Sequence, residues 1–404
     1  MEREKRMLVK HLIRLTFLVG ITALVLVWGA CPSAGQDPPD QTPPPEVVIG
    51  GLFDITGRTS DLGRDYAQGA VEAVMYINAN GGINGAPIRL VSKDFGYDGA
   101  KALKLYQQFK HVNKVFAILG WGMADTAALA PHLGKDRVVF MSAHCDPELT
   151  DPKKSPYNFF IGPTYTDQAR LAMHYAKDSG GRKVCFIYPE HPFGQGPLAA
   201  GKDYAQKLGL EIGPDVVVDL RATDASQQLL QIKEFAPDFA WIGGTTPSAA
   251  VIVKDAAKLG FKTRFLINGW GFDDKFPELA GQPAEGRALG LMSVRPFGFD
   301  APGTKAIRET IGERTYSLQF NKAWASMMVL WEGLKRAKRP SGPTLKAALE
   351  TLVNFDSGGL TPPLTYTPQD HRGTTACGLY GIKDGQIVLI TDLNIERKSE
   401  YLGW

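Results

Sequence analysis

The chain has 404 residues, 44% of them hydrophobic and 22% charged, an ordinary globular composition with length enough for two cores of normal domain size. Its formal net charge of +3 belongs to the first thirty residues, which hold five Lys/Arg and two Asp/Glu. Without them the 45 basic and 42 acidic residues fall to 40 of each, which excludes the electrostatic footprint of a nucleic-acid binder.

Arg3, Lys5, Arg6, Lys10 and Arg14 form a basic head before an uncharged apolar stretch, 15–30. That layout predicts a secretory signal over 1–30. An uncleaved anchor is the alternative, although the apolar run is short for a spanning helix. The stretch ends Trp28-Gly29-Ala30-Cys31, which resembles a bacterial lipobox and implies that a lipidated Cys31 tethers the mature protein to a membrane. Trp28 stands where such boxes prefer leucine, and ordinary cleavage before Gln36 is the other reading. Residues 31–46 carry six prolines and read as an extended, semi-rigid tether. Cys145, Cys185 and Cys377 form no CxxC pair, so no metal site is expected; a disulfide among them stays open. Cys185 in KVCFIY and Cys377 in TTACGLYGI read as small buried hydrophobes.

From Val47 onward, short apolar runs alternate with amphipathic stretches. VVIGGLF predicts a strand and 63–80 a helix, with Ala70, Val71, Val74 and Ile77 on one face and Gly81-Gly82 as its stop. PIRLVSKD, KVFAILG and RVVFMSA follow as strands, separated by helices over 100–111 and 125–134. Strands alternating with helices of this length mean βαβ units and a parallel sheet. The rhythm restarts after NFFIGP at 158–163. Helices over 167–179, 196–208, 226–235 and 247–259 alternate there with strands KVCFIYP, EIGPDVVV, FAWIGG and RFLING. After LMSVRPF come two longer helical stretches, 317–337 and 343–352. The chain closes with two β-rich runs joined by Asp384-Gly385, a hairpin signal. The fold class is therefore α/β, with two doubly wound parallel-sheet lobes.

The segment IGGLFDITGRTSDLGRDYAQGAVEAVMYINANGGINGAPIRLVSKDFGYD resembles the opening of the type I solute-binding proteins, the leucine/isoleucine/valine-binding group of ABC importers. DPELTDPKKSPYNFF and an FGQG turn after a strand extend the likeness, which covers nearly everything from Val47 onward. The resemblance implies a type I periplasmic binding protein fold whose lobes are joined by a three-segment hinge crossing near Gly162, Ser293 and Tyr366. Lobe one is then 47–162 plus 294–365, and lobe two 163–293 plus 366–404. It also implies an extracytoplasmic binder of a small organic solute that works with ABC permease subunits and separate ATPase subunits, without cofactor and without catalysis. A ligand-sensing receptor of the same fold is the second reading.

Parallel sheets bind ligands beyond the carboxyl ends of their strands, where helix N-termini present free N–H groups. In the loop after the third strand, Trp121, Met123, Ala124, Asp125 and Thr126 are candidates. The resemblance puts Ala124 where amino-acid binders hold a serine for the ligand carboxylate, while Asp125 and Thr126 are equally helix-capping residues. After the fourth strand come Ser142, Ala143 and His144. From lobe two come Phe193 and Thr245-Thr246, in the places of tyrosines, and Asn268 with Trp270, where amino-acid binders supply a glutamate for the ammonium. No acid stands at 268–270, and a buried ammonium without a counter-charge is costly. With Trp121, Phe193 and Trp270 as walls, this favours a small carboxylate, aromatic acid or amide over an α-amino acid. Arg64 is a further candidate for an anionic group, or an exposed arginine at a helix start. A hydrolase using Ser142, His144 and Asp146 is the remote alternative, because side chains alternating along one strand end share a face and rarely converge into a triad.

Overall fold

The computed structural model describes residues 46–403. The signal-like segment, Cys31 and the proline-rich stretch up to residue 45 lie outside the described residues.

Two sheets organise the chain. The first has the order β2-β1-β3-β4-β5 and is parallel throughout, with β1 (Val47–Phe53), β2 (Ile88–Asp94), β3 (Ala117–Gly120), β4 (Val139–Ser142) and β5 (Asn158–Phe159). Between them run α1 (Ser60–Ala79), α2 (Gly99–Gln108) and α3 (Met123–Asp136). All residues of β3 and β4 are buried, as expected of strands covered on both faces. Gly82, in a left-handed conformation at φ 58°, ends α1 by donating its N–H to the Ile77 carbonyl (2.9 Å).

The second sheet has the order β13-β12-β11-β10-β9-β6-β7, with β8 also paired to β6. Its parallel part comprises β6 (Lys183–Tyr188), β7 (Glu211–Ile212), β8 (Val216–Val217), β9 (Phe239–Ile242), β10 (Arg264–Ile267) and β11 (Ala288–Met292). The hairpin β12 (Ala376–Lys383) and β13 (Gln386–Asn394) extends it antiparallel. Asp384 and Gly385 both have positive φ (52° and 72°), the geometry that matches a two-residue hairpin to strand twist. Helices α4 (Tyr165–Asp178), α5 (Pro192–Gln195), α6 (Leu198–Lys207), α7 (Ser226–Leu230), α8 (Thr246–Lys258) and α9 (Phe276–Ala280) belong to this half.

The chain then passes through α10 (Pro302–Ile311), α11 (Leu318–Arg336) and α12 (Gly342–Leu349). α11 packs on α1, and α12 on α11 and β4, so the late helices return to the first sheet. Between the sheets the connections lie side by side. A Cβ on Gly162 would stand 2.7 Å from that of Ser293, Phe160 and Arg372 form an isolated parallel bridge, and the Tyr366 hydroxyl donates to the Phe160 carbonyl (2.6 Å).

Several elements differ from the sequence reading. EIGPDVVV splits into β7 and β8, because Pro214 cannot donate to a ladder. The helix expected over 226–235 ends at Leu230, with Ala236 left-handed at φ 49° before Pro237. Where one helix was expected over 196–208, a short turn at Pro192–Gln195 precedes α6. α9 and α10 were not anticipated; each starts with a proline in its first turn, a position that needs no N–H. Cys145, Cys185 and Cys377 are free and buried.

Candidate functional site

Loops at the carboxyl ends of β3, β4 and β10 meet between the two sheets. Trp121, just past β3, faces Trp270, just past β10, edge-to-face with centroids 5.6 Å apart. The indole N–H of Trp270 donates to the Tyr165 hydroxyl (2.9 Å), at the start of α4. The Tyr165 hydroxyl also shares a hydrogen bond with His144 Nδ1 (3.0 Å). His144 Nε2 then faces Asp146 at 3.6 Å. The Phe193 ring, in α5, stands perpendicular to Tyr165 at 5.5 Å. Burial holds the Tyr165 phenol well above its usual range, so it stays neutral as a relay. Trp121, Ser142, Ala143, His144, Phe193 and Trp270 are thus brought into one region.

Other expected contacts are turned to the chain itself. Asp125, fully buried, accepts the main-chain N–H groups of Trp121 (2.8 Å) and Gly122 (2.7 Å). Burial pushes its carboxyl up to about 7 against those two bonds. Thr126 and Ser142 share a hydrogen bond (2.9 Å), and Ser142 also accepts the His144 N–H (3.0 Å). Thr245 caps α8 with Ser248, and Thr246 donates its N–H to the Trp270 carbonyl (3.1 Å). Asn268 accepts N–H groups from Trp270 (3.0 Å) and Gly271 (2.7 Å), forming the turn that presents Trp270. Met123 and Ala124 open α3 and are half-buried. Arg64 is exposed and donates to the Ile55 carbonyl (2.9 Å), as an arginine at a helix start does.

Two residues outside the strand-end loops complete the site. Tyr165 joins the two halves through the bonds just described. Lys322, on α11, is 6% exposed and sets its ammonium 4.2 Å from the centre of the Trp270 ring. The sequence signal for it was a lone cation in a run, Leu318 to Leu330, that is buried all round.

Carboxylates near this region are committed elsewhere. Asp54 binds the turn before α1, and Asp273 accepts the Lys275 N–H (2.9 Å). Asp274 accepts the Leu318 N–H (2.5 Å) at the start of α11. A hydrolytic triad is not assembled: the Ser142 hydroxyl is bonded to Thr126 and the main chain, and the His144 ring is turned to Tyr165. A cavity of about 650 Å³ lies at the carboxyl ends of β11 and β13, beside Ser293, Arg295, Tyr380 and Arg397, and neither Trp121 nor Trp270 lines it. Arg295 and Arg397 there donate to the Gly359 (2.7 Å) and Arg372 (2.8 Å) carbonyls, tying the crossing segments together.

Residues 46–386 match the family described as periplasmic binding protein. The Leu/Ile/Val-binding protein of Escherichia coli K12 is 24% identical over 305 residues, 73% of this chain and 80% of that protein. An ABC transporter substrate binding protein from Aeropyrum pernix superposes with a TM-score of 0.79 at 28% identity, over 88% of this chain and 98% of the other. A branched chain amino acid ABC transporter structure from Thermus thermophilus, with bound valine, gives 0.78 at 23% identity over 87% and 97%.

Proposed function

The chain belongs to the periplasmic binding protein family, solute binders rather than enzymes, and we propose that it captures a small carboxylate or amide with an apolar or aromatic body for an ABC importer. The supporting observation is the pairing of Trp121 with Trp270 between the sheets, in surroundings where Asp54, Asp125, Asp273 and Asp274 all spend oxygens on main-chain N–H groups. Asp146 is likewise engaged, by the Glu148 N–H (3.1 Å) and the His144 ring (3.6 Å), so an α-ammonium finds no carboxylate free of other partners there, and burying it unpaired is costly. Relatives named for leucine, isoleucine and valine share the fold, so the difference lies in these side chains. The solute binds between the lobes, touches both, and thereby favours the closed form, which a separate permease with its ATPases receives.

A thermal-shift screen of amino acids, aromatic acids, short-chain acids and amides tests this reading. A benzoate-like acid at a hundred times its Kd is expected to add about 2.7 kcal/mol. A largest shift from leucine or valine, with none from benzoate, overturns it. Cys31 is proposed as the lipidated first residue, and mass analysis of membrane-extracted protein is expected to find a diacylated cysteine at the N-terminus. A soluble mature form starting at Gln36 sinks that proposal.

A further inference from the structure

We infer that Lys322 is the counter-charge for an anionic group of the solute, a carboxylate, and that this pairing is what makes the closed form stable. The inference rests on the interlobe reading above and narrows it from carboxylate or amide to carboxylate.

Lys322 belongs to α11, which packs on α1 at the first sheet, whereas Trp270 follows β10 in the second. Its Nζ stands over the Trp270 ring at 4.2 Å, beside Cys145, and no carboxylate among the described residues lies within ion-pair distance. The side chain is 6% exposed. The Trp270 ring recovers only part of the hydration an ammonium loses on burial. Burial accordingly holds this ammonium below the usual lysine range. When the lobes part, Trp270 leaves Lys322 and water reaches the ammonium. Closing without a solute therefore strands a cation, while closing on a carboxylate pairs it. A ligand shifts an equilibrium only by its differential affinity for the two states, and here the differential contact is this one pair. The Trp121 and Trp270 rings, in edge-to-face contact here, are the apolar surfaces beside it that suit the body of the same molecule.

Titration calorimetry with benzoate, benzamide, leucine and leucinamide reads the charge separately from the body. For the wild-type protein we expect the acid to bind at least about tenfold more tightly than its amide. In Lys322→Met and Lys322→Gln that preference is expected to fall to within about threefold, while Lys322→Arg keeps most of it. A purely structural lysine changes melting temperature and leaves the acid-to-amide ratio alone. Equal binding of benzoate and benzamide by the wild type, which needs no variant, overturns the inference and leaves the broader ligand reading intact. If leucine binds and benzoate does not, the ligand body was misjudged; an acid preference lost in Lys322→Met still supports the role of the lysine. Retention of the acid preference in both neutral variants, or no binding of either acid to the wild type, refutes it.

Discussion

Asp54, at the end of β1, is fully buried and receives the N–H groups of Gly57 (2.6 Å) and Thr59 (2.9 Å) and the Thr59 hydroxyl (2.6 Å). The same Thr59 oxygen accepts the indole N–H of Trp121 (2.8 Å). One carboxylate thus fixes a turn, the turn fixes a hydroxyl, and the hydroxyl orients the ring that faces Trp270. Asp54→Ala removes three hydrogen bonds and leaves their half-buried donors without this acceptor, so a loss of about 2–3 kcal/mol is expected. Urea denaturation checks it: the midpoint falls at unchanged slope, and ligand affinity falls with it as Trp121 loosens. An unchanged midpoint contradicts this account. At this scale the sequence was only partly legible. That Trp121, Ser142, His144 and Trp270 gather in one region could be anticipated because they lie at strand ends. Asp125, Thr246 and Asn268 follow strands too, but whether a loop side chain turns to solute or to main chain depends on turn geometry that spacing does not encode. Tyr165 and Lys322 come from helices, outside the strand-end rule altogether.

Among the elements, α11 has the largest consequence for the site, since it carries Lys322 back to the first sheet. Its approach to α1 is close: a Cβ on Gly69 would stand 2.4 Å from the Phe320 carbonyl oxygen. Glycine in the middle of a helix costs roughly 1 kcal/mol of propensity, so its presence there marks a place where another backbone comes near. That signal was available in the sequence, but nothing in it said which backbone. Periodicity predicted α11 as a helix because its pattern is long, and the Asp384-Gly385 hairpin because the turn chemistry is specific. Short pieces fared worse. β7, β8, α7 and α9 are two to five residues long, too few to establish a period, and are held by partners remote in sequence.

For the whole molecule, the start of α11 is where the two halves are tied by charge. Ser317 donates its N–H to Asp65 (2.8 Å) on α1, and Leu318 donates to Asp274 (2.5 Å), beyond β10 in the other half. Carboxylates are favoured at a helix N-terminus, yet burial pushes Asp274 up to about 6, with the Leu318 N–H opposing and the charges of Asp273 and Asp65 adding to the rise. If the lobes part as proposed, water reaches Asp274 and its pKa relaxes toward the ordinary aspartate value of about 3.9. The closed form therefore binds the proton more tightly than the open form. Closure gains its full benefit below about pH 4 and loses it as pH rises through about 6, by up to a factor of ten per unit of difference. Small-angle scattering at a fixed, half-saturating solute concentration should show the radius of gyration increasing between pH 5 and pH 7.5. Asp274→Asn still accepts the Leu318 N–H but cannot titrate, so its radius should stay level across that range. If wild type and variant change together, or neither changes, the coupling of closure to this carboxylate is wrong.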